Sequence, residues 1–143
     1  MVDVQFRFRD DEAVNDPAVT VDAFTEQTNA SAVRVEPGDD ARDLLPHLDR
    51  LALVEVSFPS WTDGRGYSSA RILREAGYRG ELRAVGDLVI DMLSHLRRCG
   101  VDAFAPDKPL NPTDADNAFT RWENVYQATN VDGRQAIWAK RHA

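Results

Sequence analysis

The chain has 143 residues, a formal net charge of −7 and a sequence pI near 4.9. This length suffices for one domain with a continuous core, and 43% hydrophobic residues is typical of a globular protein rather than a disordered one. The acidic balance argues against general nucleic-acid binding, which needs a basic surface. No apolar run approaches the roughly 20 residues of a membrane helix. The N-terminus carries no secretory signal, so a cytoplasmic protein without membrane association is predicted.

Cysteine and histidine usage argues against redox and metal chemistry. Cys99 is the only cysteine, so there is no Cys-x-x-Cys pair and no set of thiolates for zinc or an iron–sulfur cluster. The three histidines lie far apart in sequence and form no ligand pattern. No metal and no cofactor is therefore expected. Cys99 is predicted to be a small core thiol in the last turn of a helix, where the helix dipole disfavours the thiolate.

The predicted elements begin with a strand at residues 4–9 and a helix at residues 19–28. From residue 32 onward, short apolar runs alternate with stretches of helical period, which is typical of βα units and a parallel sheet. About four consecutive units are predicted. Their strands are residues 32–36, 51–58, 81–85 and 101–105, and their helices are residues 41–49, 68–76, a stretch from Asp87 to before Gly100, and 113–128. Asp39 or Asp40 is the predicted N-cap of the first of these helices.

We expect a single α/β domain over residues 1–143, in which residues 1–30 and 129–143 are peripheral. Side chains alternate across a strand, so one face of the sheet is predicted to be apolar and the other to carry Arg34, Glu55 and Arg83. Charges in three successive strands favour a half-TIM-barrel-like sheet, with the charges inside and the helices outside. An open Rossmann-like sheet is equally compatible with the sequence, and Glu55 and Arg83 would then form a buried ion pair.

The most informative stretch joins the second predicted strand to its helix. Ligands of parallel sheets bind beyond the carboxyl ends of the strands. Glycines there let the backbone approach a ligand, and amides at a helix entrance attract anions. The predicted anion-binding residues are Gly64, Arg65, Gly66, Tyr67, Ser68, Ser69 and Arg83. In the alternative interpretation, the glycines only make a turn and Ser68 only caps the helix.

This stretch is neither a Walker A loop nor a dinucleotide fingerprint, and the chain has no esterase nucleophile elbow. If the protein is an enzyme, Asp63 or Asp87 is the candidate catalytic proton carrier, and Arg65 or Arg83 binds an anionic group of the substrate. A carboxylate acting as general base needs a raised pKa. Asp87 is also a candidate N-cap. The sequence leaves open whether the protein is an enzyme.

Residues 58–68, 80–87 and 96–104 together resemble a bacterial family of uncharacterised function, a domain of unknown function. Genes of this family commonly stand beside that of sulfite reductase, and its members are named as oxidoreductases of sulfite reduction. The positions that match the family pattern are Asp63, Gly64, Arg65, Gly66, Tyr67, Ser68, Arg83, Gly86, Asp87, Arg98, Cys99 and Asp102. The chain departs from the pattern at Met92, where glutamine is usual, and at His95, where an aromatic or aliphatic residue is commoner.

The resemblance implies an accessory or oxyanion-binding protein of assimilatory sulfite reduction, because sulfite suits a helix N-terminus with arginines nearby. The implied partners are a small oxyanion and the sulfite reductase machinery. Two alternatives stay open. One is an α/β enzyme acting on a small anionic substrate. The other is a structural or protein-interaction domain that forms homo-oligomers through its charged sheet face.

Overall fold

The computed structural model describes residues 4–14, 16–26 and 29–126, and the side chains of these residues up to residue 120. Strands and helices alternate along these residues. In chain order they are β1 (Phe6–Arg7), β2 (Val19–Thr20), α1 (Val21–Glu26), β3 (Ala32–Val35), a 3-10 helix (Ala41–Arg50), β4 (Leu53–Phe58), α2 (Arg65–Glu75), β5 (Glu81–Gly86), a short 3-10 helix (Ile90–Met92), α3 (Leu93–Arg98), β6 (Ala103–Pro106) and α4 (Pro112–Tyr126). The predicted tail, residues 129–143, and the predicted end of the last helix at residue 128 lie outside the described residues.

The strands form one sheet in the order β1-β6-β5-β4-β3-β2. Strands β2 to β6 are parallel, whereas β1 pairs antiparallel with β6. The prediction of an α/β protein with a mostly parallel sheet is confirmed. The sequence had placed β2 inside the first helix, but Val19 pairs with Val33 in β3. The hydroxyl of Thr20 then accepts a hydrogen bond from the Ala23 amide at the start of α1.

The predicted division of the sheet into an apolar and a charged face is confirmed. Residues of one face, including Val33, Val54 and Leu82, belong to the main hydrophobic cluster, together with buried residues of α2, α3 and α4. On the other face, Arg34 lies opposite Glu55, and Glu55 lies opposite Arg83. The described helices pack their apolar side chains against the first face. The charged face therefore lies on the side of the sheet away from the main hydrophobic core.

Two predicted helices are tighter or shorter than expected. The helix after β3 is a 3-10 helix, and its N-cap is Asp40, whose carboxylate accepts a hydrogen bond from the Arg42 amide. It contains Pro46, which has no N–H to donate to a regular α-helical ladder. The helix after β5 begins at Ile90, so the prediction that Asp87 opens it is wrong. The Asp87 carboxylate instead accepts a hydrogen bond from the amide of Trp61.

Helix α2 begins at Arg65, and its N-cap is Gly64. The prediction that this helix starts at Ser68 is therefore wrong by three residues, and Ser68 is an exposed residue in its first turn. The physical reason is that the Asp63 carboxylate, just before the N-cap, accepts a hydrogen bond from the Arg65 amide at 3.1 Å, so the first amide of the helix is satisfied before the serines are reached.

Candidate functional site

The β4–α2 loop, residues 59–64, leaves the carboxyl end of a central strand and leads into helix α2. Hydrogen bonds within the loop hold its backbone. The Asp63 amide donates to the carbonyl of Ser60 at 3.0 Å, and the Thr62 amide donates to the Ser60 hydroxyl at 3.3 Å. Such bonds restrict the loop before any partner arrives.

Two carboxylates accept hydrogen bonds from further backbone amides of this region. The Trp61 amide donates to Asp87 Oδ2 at 3.1 Å. The Asp63 carboxylate accepts from the Arg65 amide and from the Arg65 guanidinium, whose Nη2 lies 2.8 Å from Oδ2. The structure therefore brings the two catalytic candidates, Asp63 and Asp87, to the same loop. It also provides the loop with its own anions, so an external oxyanion would have to share or displace these contacts.

Gly66 is required for packing within the protein. A Cβ atom at this position would lie 2.5 Å from Cζ of Phe58 and 2.9 Å from Cγ1 of Val56, both of which are buried in β4. The first turn of α2 thus lies directly on the strand. At Gly64 there is open space, with Cδ2 of Tyr67 at 3.9 Å as the nearest atom. Of the two glycines, only Gly64 leaves room for a ligand.

The remaining predicted ligand residues lie in helix α2 and in the sheet. Tyr67 is half-buried, and its ring packs against Phe58 and, at 4.5 Å between centroids, against His95. Ser69 is buried within α2. Tyr67 and Ser69 therefore contribute mainly to the packing of α2.

Arg83 is buried in β5, away from the carboxyl end of that strand. Its guanidinium lies 2.6 Å from Glu81 and 3.4 Å from Glu55, and it also donates to the carbonyl of Val14. The structure does not bring Arg83 to the β4–α2 loop.

The ion pair with Arg65 changes the acidity of Asp63. Hydrogen bonds from the Arg65 guanidinium, and secondarily from the Arg65 amide, lower the pKa of Asp63 to about 2. A general base works best when its pKa lies near the operating pH. Asp63 is thus a poor proton acceptor, which argues against its role as the proton carrier of an enzyme.

Replacing Arg65 by glutamine is expected to raise the pKa of Asp63 from about 2 toward its ordinary value of 3.8, because the charged hydrogen-bond donor is lost. In the wild type, the Asp63–Arg65 ion pair contributes to the stability of the folded state at any pH above 3.8, the ordinary pKa of Asp63. This contribution is lost as the pH falls toward 2. Titration of the side-chain carboxyl carbon by NMR measures this shift. Arg42→Gln is the matched control, and identical midpoints for Asp63 in wild type and Arg65→Gln would contradict the assignment.

A continuous row of ion pairs crosses the charged face. It ends where the amino ends of β5 and β6 lie. Its members alternate in sign and are, in spatial order, Arg34, Glu55, Arg83, Glu81, Arg7, Asp11, Arg9, Asp102 and Arg74. The sequence had indicated only Arg34, Glu55 and Arg83. The spacing of Arg7 and Arg9, two residues apart in the predicted strand at residues 4–9, was the available signal for their place on this face. Because the buried members are paired with opposite charges, this row is a structural feature.

Cys99 is buried at the end of α3, and burial raises the pKa of its thiol above the usual value, although Arg71 lies 3.8 Å from Sγ. The prediction of a small buried thiol is confirmed. Among residues 4–14, 16–26 and 29–126, no group of three histidine, cysteine or acidic side chains is arranged to hold a metal ion. No helix within these ranges is long and apolar enough to cross a membrane.

Comparison with curated proteins gives no match, and comparison with solved structures gives none either. A family model described as bacterial protein of unknown function (DUF934) matches residues 32–138. The match covers most of the chain, from β3 onward, and includes the β4–α2 loop. It confirms the resemblance to a bacterial family of uncharacterised function. The chain therefore belongs to the DUF934 family of bacterial proteins.

Proposed function

We propose that this protein is a non-catalytic accessory protein of bacterial sulfite reduction, which docks on a protein of the sulfite-reducing machinery through the β4–α2 loop. One observation carries the docking proposal. The loop presents Trp61, 56% exposed, and Arg65, whose side chain is 65% exposed, begins the helix that follows; the loop backbone is held by internal hydrogen bonds. Tryptophan and arginine are the residue types that most often dominate binding energy at protein interfaces.

The rigidity of the loop favours docking, because a preorganised segment loses little conformational entropy on binding. Trp61 is the one exposed large hydrophobic residue among the side chains that the structure describes. Oxyanion binding at Arg65 stays a prediction, since the anion would compete with the Asp63 carboxylate already bound there. Catalysis is less well supported, because Asp63 has a low pKa. The assignment to sulfite reduction depends on the family resemblance.

We also infer that the sheet is a half-barrel-like array. Strands β2 to β6 follow one another in chain order. Right-handed crossovers that all advance in one direction place their helices on one face of the sheet. An open doubly wound sheet instead reverses its strand order at a switch point. In a half barrel, the β4–α2 loop stands on the rim formed by the carboxyl ends of the strands, where partners and ligands bind.

The test is a binding titration between the purified protein and purified sulfite reductase from the same bacterium. We expect Trp61→Ala to weaken binding by about thirtyfold or more, the loss typical of an interface hot spot. Because Trp61 is exposed, this variant should fold. Arg42→Ala, a change at another exposed side chain, is the matched control and should bind like wild type. A wild-type protein that does not bind the enzyme, or a Trp61→Ala variant that binds equally well, contradicts the proposal.

Growth of a deletion strain tests the assignment to sulfite reduction separately from the docking surface. Deletion of the gene should slow growth on sulfate but not on cysteine, and the wild-type gene should restore growth where Trp61→Ala does not. Equal growth of the deletion strain on both sulfur sources would detach the protein from sulfite reduction.

A further inference from the structure

The loops that follow β3, β4, β5 and β6 lie at one edge of the sheet, around Trp61. Gly86 pairs with both Phe58 and Pro106, so β4, β5 and β6 end at the same level. We call the surface made by these four loops the carboxyl rim; the loops are residues 36–40, 59–64, 87–89 and 107–111.

The carboxyl rim is strongly acidic. Its four loops contain six acidic residues and one basic residue, Lys108, which gives a formal charge of −5 out of −7 for the whole chain. The acidic residues are Glu36, Asp39, Asp40, Asp63, Asp87 and Asp107. Neighbouring strands lie about 4.8 Å apart, whereas charges act over about 8 Å at physiological ionic strength. The fields of adjacent loops therefore add.

Among the described residues, two of these carboxylates have a cation beside them. Asp40 lies 3.8 Å from Arg42, and Asp63 lies 2.8 Å from Arg65. The other four make no ion pair within the part of the chain that the structure describes; they are Glu36, Asp39, Asp87 and Asp107. The rim therefore keeps a net negative charge after its own ion pairs are counted.

Asp87 connects this charge to the exposed indole. Its carboxylate accepts a hydrogen bond from the backbone amide of Trp61 at 3.1 Å, and an amide offsets no net charge. Trp61 is thus an apolar side chain surrounded by a negative field. A partner that covers the indole must approach these carboxylates, and acidic groups on that partner would be repelled. Charge complementarity therefore favours basic residues around the partner's apolar pocket.

We propose that the carboxyl rim recognises a basic protein surface, in which lysine or arginine side chains surround an apolar pocket for Trp61. This partner chemistry rests on the proposed docking function. A second copy of the chain does not fit through the same surface, because two acidic rims repel each other. Exposed charges change mainly the association rate and its salt dependence, whereas loss of a buried anchor changes mainly the dissociation rate. The charges and the indole can thus be tested separately.

The test measures the binding kinetics of the full chain with purified sulfite reductase from the same bacterium at several salt concentrations. We expect the association rate constant to fall by about tenfold or more between about 0.05 and 0.5 M salt. Asp107→Lys should lower it by about threefold at low salt, because a repulsive charge replaces an attractive one. Asp107 is exposed, so this variant should keep the wild-type melting temperature.

Glu75→Lys is the matched control, because it makes the same charge change at an exposed position at the far end of α2. It should associate like wild type. Equal effects of Asp107→Lys and Glu75→Lys would overturn the proposal, since only the charge of the whole chain would then matter. Self-association of the wild type that Trp61→Ala abolishes would also overturn it and would assign the surface to a second copy.

An association rate that is independent of salt, or that rises with salt, overturns the basic partner even where Trp61→Ala raises the dissociation rate and so supports docking. Absence of binding at every salt concentration contradicts docking itself and, with it, the basic partner. Failure of the partner chemistry alone and failure of the docking proposal are thereby distinguishable.

Discussion

Replacing Asp102 by alanine is expected to lower the free energy of unfolding by about 3–5 kcal/mol, the cost of breaking a buried ion pair from one side. Asp102 is buried just before β6 and accepts hydrogen bonds from Arg9, Arg74 and the amide of Leu82 at 2.8 to 2.9 Å. The substitution leaves two partly buried guanidinium groups and a strand amide with one partner fewer. Urea denaturation measures the loss.

Asp11→Ala is the matched control for this prediction. Asp11 also pairs with Arg9, but its side chain is 57% exposed. Exposed pairs contribute little, so this variant should lose no more than about 1 kcal/mol. If both variants are destabilised equally, burial does not determine how much Asp102 contributes to stability, which contradicts the prediction.

Gly86→Ala is expected to lower the free energy of unfolding by about 2–5 kcal/mol, combining a left-handed backbone penalty with overpacking. Gly86 ends β5 with a φ of +109°, and a Cβ atom there would lie 2.4 Å from the carbonyl oxygen of Phe58. A backbone atom of a buried strand cannot move aside as a flexible side chain can. That carbonyl also accepts the Asp87 amide at 2.7 Å, so the substitution should displace the base of the β4–α2 loop as well.

Gly77→Ala isolates the backbone penalty. Gly77 has a φ of +99°, but a Cβ atom there would have no neighbour within 4 Å. It should therefore cost only about 1–2 kcal/mol. Chemical denaturation of both variants under the same conditions gives the difference, which measures the clash at Gly86. Equal losses would mean that the close contact with Phe58 is relieved without cost.

The sheet was predictable because its pattern is local. Residues 32–35 and 81–85 alternate between core and charged face, and this period of two identifies strands and their faces directly. Arg34, Glu55 and Arg83 could thus be placed on one face from the sequence pattern alone. Residues 53–58 are buried on both sides, as the most apolar run of the chain indicated.

The candidate site was predictable only in its location. Whether the amides of residues 61–65 face a ligand or a side chain depends on the loop's dihedral angles, and residue types alone do not give these. Here Asp63 turns back on Arg65, and Asp87 reaches Trp61 across the ends of two strands. Gly66 is a similar case. A glycine permits close approach, but the sequence does not say whether a ligand or, as observed, Phe58 makes that approach.

Strand β1 was the hardest element to place, because its partner lies far along the chain. Phe6 pairs with Phe104, and the rings of Phe6 and Phe8 pack against Phe119. During synthesis on the ribosome, these first residues emerge long before the strand and helix that receive them. Strand β1 therefore cannot pair, and the rings of Phe6 and Phe8 stay uncovered, until β6 and α4 have been synthesised. The sheet is thus completed last at β1.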